Sequence, residues 1–142
     1  MEELYELRAY IEQGKYPQAL VLLGEMEEMS RDDKINKIAS FLEILLLHVI
    51  KQHAEKRTTR SWDVSIYNAV NQIKRTNKRH KAGGNYLTRE ELQEAIDEAY
   101  DNAIHLASLE AFGGVYDLAE LAKMVDQNKI KIEALRLILD TP

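Results

Sequence analysis

The longest apolar run of the sequence extends from Phe41 to Ile50, where eight of ten residues are apolar and only Glu43 and His48 interrupt it. Three more apolar residues precede the run at helical spacing: Ile35, Ile38 and Ala39. A helix that is apolar on nearly every side has to be covered by other helices. The pattern predicts a central buried helix over about 32–53. The run is too short to be a membrane span, which needs about 20 apolar residues.

Two shorter amphipathic segments precede this run. Residues 2–13 and 17–29 both have the apolar spacing of a helix. Gly14 is the predicted C-cap of the first helix, and Pro17 fits the first turn of the second. Ser30 is the predicted N-cap of the central helix.

Two further helices follow a connecting loop. Ser61 is the predicted N-cap of a helix over 61–79, whose apolar residues share one face: Trp62, Ile66, Ala69, Val70 and Ile73. Thr88 and Glu91 have the spacing of a capping box, which predicts the start of a helix over 88–112.

The last part of the chain, residues 113–142, is predicted to be a C-terminal helical extension. Asp117 is the predicted cap of a short helix, and Asn128 that of a last one. The final segment also alternates like a strand, but a lone strand would have no partner. Together the elements predict a single all-α domain over residues 1–142, a bundle of five to seven helices.

Composition narrows the class of protein. The 142 residues are 45% hydrophobic and 30% charged, as in soluble globular domains. The absence of cysteine excludes disulfides, thiolate catalysis and thiolate metal sites. Glu2, Glu3 and Glu6 stand where a signal peptide would carry basic residues, so we expect a cytoplasmic protein.

The net charge of −5 hides an asymmetry along the chain. From Lys51 to Lys81 there are nine Lys/Arg residues and two carboxylates, a net charge of +7, so the rest carries −12. Such a segment either recognises an anion or pairs with the acidic helices of the same domain.

Four short motifs resemble those of one known family. They are the acidic run 25–31, the core run 45–51 (Leu-Leu-Leu-His-Val-Ile-Lys), Arg60-Ser61-Trp62 with Ser65-Ile66, and Glu98-Ala99-Tyr100 with Ala103. Over about residues 5–112 the chain resembles the family known as domain of unknown function twenty-nine, which is abundant in cyanobacteria and present in other bacteria. The resemblance implies a small all-helical fold and no established activity.

The loop before residue 61 carries a candidate anion-binding site formed by Arg57, Arg60, Ser61 and Trp62. Free amides and the dipole of a helix N-terminus favour a phosphate or carboxylate there. The alternative is that Trp62 packs in the core while Arg60 pairs with a carboxylate of another helix. Gln52 and Asp63 stand where the family's pattern has a tryptophan and an arginine, which weakens a function based on an aromatic and basic cluster.

A candidate nucleic-acid surface lies further along the same helix: the basic patch Lys74, Arg75, Lys78, Arg79 and Lys81. Binding of this kind falls steeply with salt. No aromatic residues interleave with the patch, no helix-turn-helix motif precedes it, and the pI is about 5.4. These features favour a solvated helix end.

Two groups of residues have the chemistry of a catalytic or metal site: His48, and the stripe Asp97, Asp101 and His105. His48 has no second ligand at helical spacing, and an imidazole in an apolar run is typical of a hydrogen-bonded core residue. The stripe lacks the Glu-x-x-His motif of bundle carboxylate sites. We therefore expect no metal, no cofactor and no catalytic residue.

These features favour a non-enzymatic protein-interaction module that binds a protein partner or associates with itself, without membrane contact. One alternative is nucleic-acid or phosphate-group binding through segment 51–81. The other is a metal-binding protein or enzyme that uses His48 or the Asp97, Asp101 and His105 stripe.

Overall fold

The computed structural model describes residues 2–79 and 83–140, and these residues form six α-helices and no strand. The helices are α1 (Glu2–Glu12), α2 (Tyr16–Glu55), α3 (Arg60–Asn77), α4 (Arg89–Glu110), α5 (Leu118–Met124) and α6 (Gln127–Asp140), with a 3₁₀ turn at Ala111–Gly114. The predicted all-α fold of five to seven helices is confirmed. None of the described helices combines the length and the apolarity needed to cross a membrane.

The chain divides into two compact units, Met1–Lys34 and Ile35–Pro142. The first contains the N-terminal hairpin (residues 2–34), in which a short turn joins α1 to the beginning of α2. Gly14 in this turn has φ +73°, and the Lys15 N–H donates to the Tyr10 carbonyl at 2.8 Å. This left-handed residue after the last helical turn is the predicted glycine C-cap.

The second unit contains the hydrophobic core. The later half of α2 supplies six side chains with no exposed surface: Ile38, Leu42, Leu45, Leu46, Val49 and Ile50. Helices α3, α4 and α6 add Ile73, Ile96 and Ile130 to the same core. The predicted apolar run is therefore part of the core. Ile44 is nevertheless 39% exposed, so this helix is not covered on every side.

The prediction that Ser30 begins a new helix is wrong. Segments 17–29 and 32–53 belong to one continuous helix, the 40-residue α2. Neither glycine nor proline interrupts the polar stretch 27–34. Glu, Met, Arg and Lys in that stretch have high helix propensity, so the helix continues through it.

Capping side chains set the starts of the shorter helices. The Thr88 hydroxyl accepts the Glu91 N–H at 3.2 Å, and the Glu91 carboxylate accepts the Thr88 N–H at 3.1 Å, which is the predicted capping box. Asp117 forms the same arrangement with Glu120 at the start of α5, as predicted for its cap. These bonds satisfy amides that have no partner inside the helix.

Two other predicted caps are wrong by two residues. Thr59, not Ser61, caps α3, because its backbone is extended and its hydroxyl accepts the N–H three residues later at 3.1 Å. Asp126, not Asn128, has its carboxylate 3.2 Å from the N–H three residues later at the start of α6. In both cases the helix begins earlier than its apolar pattern.

Helix α4 ends in a sharp reversal. Phe112 has φ +53°, which is uncommon for a residue with a side chain, and Gly114 has φ +81°. A Cβ at Gly114 would lie 2.8 Å from the Leu109 carbonyl oxygen. The Phe112 N–H donates to the Glu55 carboxylate at 3.0 Å, so the reversal is held against the end of α2.

Candidate functional site

The N-terminal hairpin has almost no core of its own. α1 buries none of its side chains, and Ala19 is the only buried residue among residues 2–34. Eight large apolar side chains are exposed instead: Leu4, Tyr5, Ile11, Tyr16, Leu20, Val21, Leu23 and Met29. The second unit is about three times as long, but among its described residues only ten large apolar side chains are exposed. Apolar surface at this density is typical of an interaction site.

An open groove of about 410 Å³ lies between the two helices of the N-terminal hairpin. It is lined by Tyr10, Pro17, Gln18, Val21 and Leu22, with Glu6 from α1 and Glu25 from α2. Residues 1–34 carry nine carboxylates and four Lys/Arg side chains, a net charge of −5. The rest of the chain has 15 of each and no net charge. The groove therefore combines apolar and acidic side chains within an acidic unit.

Part of the predicted anion-binding site surrounds the Trp62 ring. The Arg57 Cζ lies 4.9 Å from the ring centroid, and the Lys51 ammonium lies 4.7 Å from it. The negative face of an indole ring attracts cations at this distance. Arg57 also pairs with the Glu55 carboxylate at 2.8 Å. Its guanidinium is therefore already engaged by a ring and a carboxylate.

Arg60 and Ser61, the other predicted anion ligands, are exposed in the first turn of α3. Trp62 beside them is only half-buried. Arg60 forms no ion pair with any residue that the structure describes. Anion binding at these residues stays a prediction.

Sequence reasoning missed the acidic residues that complete the Trp62 cluster (Lys51, Glu55, Arg57, Trp62 and Glu110). Lys51 is 6% exposed and pairs with Glu110 at 3.0 Å. Burial raises the pKa of Glu55, but the Phe112 N–H, the hydrogen-bonded Arg57 and the charge of Lys51 outweigh burial and hold that pKa below its usual value. The available signal was a lysine directly after the apolar run, since a buried cation needs a partner.

Gln52 and Asp63 contact each other. Gln52 Nε2 donates to Thr58 Oγ1 at 2.8 Å and to Asp63 Oδ1 at 3.3 Å. The Thr58 hydroxyl donates to the same Asp63 oxygen at 2.7 Å. This set joins the end of α2 to the first turn of α3, so both residues have a structural role in this chain.

The residues of the predicted basic patch lie in different environments. Two of its members, Lys74 and Lys78, line a cleft of about 410 Å³ together with residues of α4 and α6. Arg75 is exposed. The Arg79 guanidinium lies 5.8 Å from an aromatic ring, that of Tyr86. Lys81 lies outside the described residues, and nucleic-acid binding stays a prediction.

The candidate metal ligands do not converge. His48 and His105 each place Nδ1 close to the carbonyl oxygen four residues earlier, at 2.8 and 2.7 Å. Asp97 pairs with the Lys131 ammonium at 3.0 Å, and Asp101 is exposed. Within the described ranges no three His, Cys, Asp or Glu side chains are grouped to hold a metal ion.

Two long-range polar pairs that no local pattern indicates join α2 to other helices. His53 Nε2 lies within hydrogen-bond distance of the Glu133 carboxylate on α6, and both side chains are partly buried. The Asn102 amide on α4 donates to Glu43 at 3.1 Å. These pairs hold the second unit together rather than forming a cavity for a substrate.

These features define a small all-α protein with an exposed, acidic and apolar helical hairpin. The chain belongs to the family described as Domain of unknown function DUF29, whose model matches residues 18–133. The match confirms the family resemblance and continues past residue 112 into the C-terminal helices. The comparisons with curated proteins and with solved structures give no significant match.

Proposed function

We propose that this protein is a non-enzymatic protein-interaction module and that the N-terminal hairpin is its docking surface. The observation that carries the proposal is that α1, a helix of 11 residues, buries no side chain. Isolated helices shorter than about 12–15 residues are marginal in water. α1 is thus marginal by itself, and a surface that covers it would stabilise it.

The exposed apolar side chains of the hairpin provide the driving force for docking. Tyr5, Leu20 and Val21 are 74%, 68% and 65% exposed. Burying one large apolar side chain completely contributes about 1.5–3 kcal/mol. Burial of several such side chains offsets the loss of translational and rotational freedom on association, which costs about 4–15 kcal/mol. A groove between two helices suits a third helix laid along it.

Site-specific photo-crosslinking tests this proposal. A photoreactive benzoyl-phenylalanine in place of Leu20 is expected to give a discrete protein adduct in cells that express the full chain. The matched control is the same group in place of Leu109, which is 74% exposed on α4 and lies outside the hairpin. The Val21→Asp change should abolish the Leu20 adduct, because a carboxylate would then occupy the apolar groove. No adduct at Leu20, or equal adducts at both positions, overturns the proposal.

A further inference from the structure

Helix α3 has two faces of different character. Its inner face contributes Ala69, Val70 and Ile73 to the core. Its opposite side is the α3 outer face (Arg60, Val64, Tyr67 and Arg75), whose members share one side of the helix by spacing. Val64 and Tyr67 are 50% and 67% exposed, although both are large and partly or wholly apolar. This face therefore also presents uncovered apolar surface.

The charges of the α3 outer face are opposite to those of the N-terminal hairpin. Arg60 and Arg75 lie on either side of the two apolar residues, and neither forms an ion pair within the described part of the chain. In the hairpin groove, Glu6 and Glu25 line the same surface as apolar side chains such as Val21. Each surface thus combines apolar side chains with charged ones, and the charges of the two surfaces have opposite signs.

Contact between two hairpins is disfavoured by the same charges. Each hairpin unit carries a net charge of −5, so two facing hairpins would bring like charges together. Like charges across an interface oppose association, whereas complementary charges favour it. The partner that fits the hairpin is therefore a helix with an apolar centre and basic borders, and every copy of this chain carries one in α3.

We infer that the N-terminal hairpin of one copy docks on the α3 outer face of a second copy. This inference rests on the proposed function and identifies the partner. Each chain carries both surfaces, and the inferred assembly is the closed one, in which the contact forms twice around a two-fold axis and gives a homodimer. The repeated contact doubles the buried surface without requiring a second kind of protein.

Sedimentation velocity of the full chain over a range of concentrations tests the inference. The wild-type protein is expected to form a dimer of twice 16.4 kDa. The affinity of this dimer should fall at high salt. The double variants Glu6→Lys/Glu25→Lys and Arg60→Glu/Arg75→Glu should each weaken dimerisation by about tenfold or more, because each places like charges in both contacts.

Mixing the two double variants provides the decisive measurement. In the mixed dimer a basic hairpin meets an acidic α3, and an acidic hairpin meets a basic α3, so wild-type affinity should return. The control Glu94→Lys/Glu98→Lys changes the net charge by as much as Glu6→Lys/Glu25→Lys does, but at exposed positions of α4. It should dimerise like the wild type. Circular dichroism melts verify that every variant is folded.

Several results would overturn the inference. A wild-type chain that is monomeric at all concentrations removes it, and so does a dimer that resists the Arg60→Glu/Arg75→Glu change. Failure of the mixed variants to associate also contradicts it. A Leu20 photo-adduct with a different protein and none with a second copy would overturn this inference alone, while the proposed function would stand.

Discussion

At the residue scale, Glu55 is the side chain at which the end of α2 meets the reversal after α4. Its carboxylate accepts the Phe112 N–H and pairs with Arg57, and the side chain is only 10% exposed. Burial raises the pKa of Glu55, but these donors and the nearby Lys51 outweigh it, so the pKa is lowered in the folded protein. The folded state therefore favours the ionised form of Glu55 more strongly than the unfolded chain does.

This lowered pKa predicts a pH dependence of stability. A carboxylate whose folded pKa is below its unfolded value stabilises the fold fully above the unfolded pKa, and this contribution is lost as pH falls through the folded pKa. The free energy of unfolding of the wild type should fall as the pH drops below about 5. In Glu55→Gln the free energy of unfolding should fall less steeply with pH. Urea denaturation at stepped pH values measures it. The exposed Glu94→Gln change is the control, and an unchanged slope in Glu55→Gln would contradict the prediction.

Tyr100 predicts a substitution that stabilises the protein. Its side chain is 3% exposed, and its hydroxyl has no hydrogen-bond partner among the described residues. Burial, with the charges of Asp126 and Asp101, raises the pKa of Tyr100 to about 12, so the buried hydroxyl stays neutral. Tyr100→Phe removes an unsatisfied polar group and keeps the ring below the Lys131 ammonium.

The expected gain from Tyr100→Phe is about 1 kcal/mol of unfolding free energy. Urea denaturation should show a higher midpoint with an unchanged slope. A lower midpoint would mean that the hydroxyl has a partner in solution.

Two adjacent glycines after α4 provide a matched pair of substitutions. Gly113 has φ +67° with open space around it, whereas a Cβ at Gly114 would also lie 2.8 Å from a backbone oxygen. Gly113→Ala should cost about 1–2 kcal/mol for the left-handed conformation alone. Gly114→Ala should cost clearly more, because backbone atoms have to move. Equal losses in thermal or urea unfolding would rule out the close approach.

At the element scale, the main lesson comes from α2. Two apolar segments separated by a polar stretch predict two helices when they are considered one at a time. A Ser followed three residues later by Asp strengthens that interpretation because serine is a favourable N-cap. The continuous helix forms because nothing in the polar stretch breaks it, and a cap is useful only where the preceding turn is not helical.

Ser30→Ala distinguishes the two descriptions of α2. At an N-cap this change costs about 1 kcal/mol, whereas in a helix interior alanine is more favourable than serine by a few tenths to about 0.5 kcal/mol. We expect a small gain in stability. Thr88→Ala, at an observed cap, is the comparison and should lose about 1 kcal/mol. A comparable loss for Ser30→Ala would indicate a break in the helix.

At the scale of the whole molecule, the hydrophobic core lies in the second unit, and the proposed docking surface lies in the first. The core of the second unit buries Leu46 completely, while Leu20 in the N-terminal hairpin is 68% exposed. Leu46→Ala should therefore cost about 2–5 kcal/mol, and Leu20→Ala less than about 0.5 kcal/mol. Thermal unfolding of dilute, monomeric protein measures both. A large loss from Leu20→Ala in the monomer would show that the chain covers its own hairpin.

The predictable part of the fold follows from local rules. Capping pairs such as Thr88 with Glu91 act within one turn, and the apolar run before Lys51 identifies a core segment by composition alone. The proposed docking surface could be predicted only in part. The apolar spacing of residues 2–13 indicates an amphipathic helix, but spacing does not indicate whether the chain itself covers the apolar face.

The sequence by itself determined the all-α class, most of the helices, the core run and the family, because these depend on the order of residues over one or two helical turns or on short motifs. Only the tertiary structure decided that Lys51 meets Glu110, that Glu55 meets Phe112 and that α1 has no core to enter. Those facts depend on which distant segments pack together. Packing sums many weak contacts over the whole molecule, and no local pattern contains that sum.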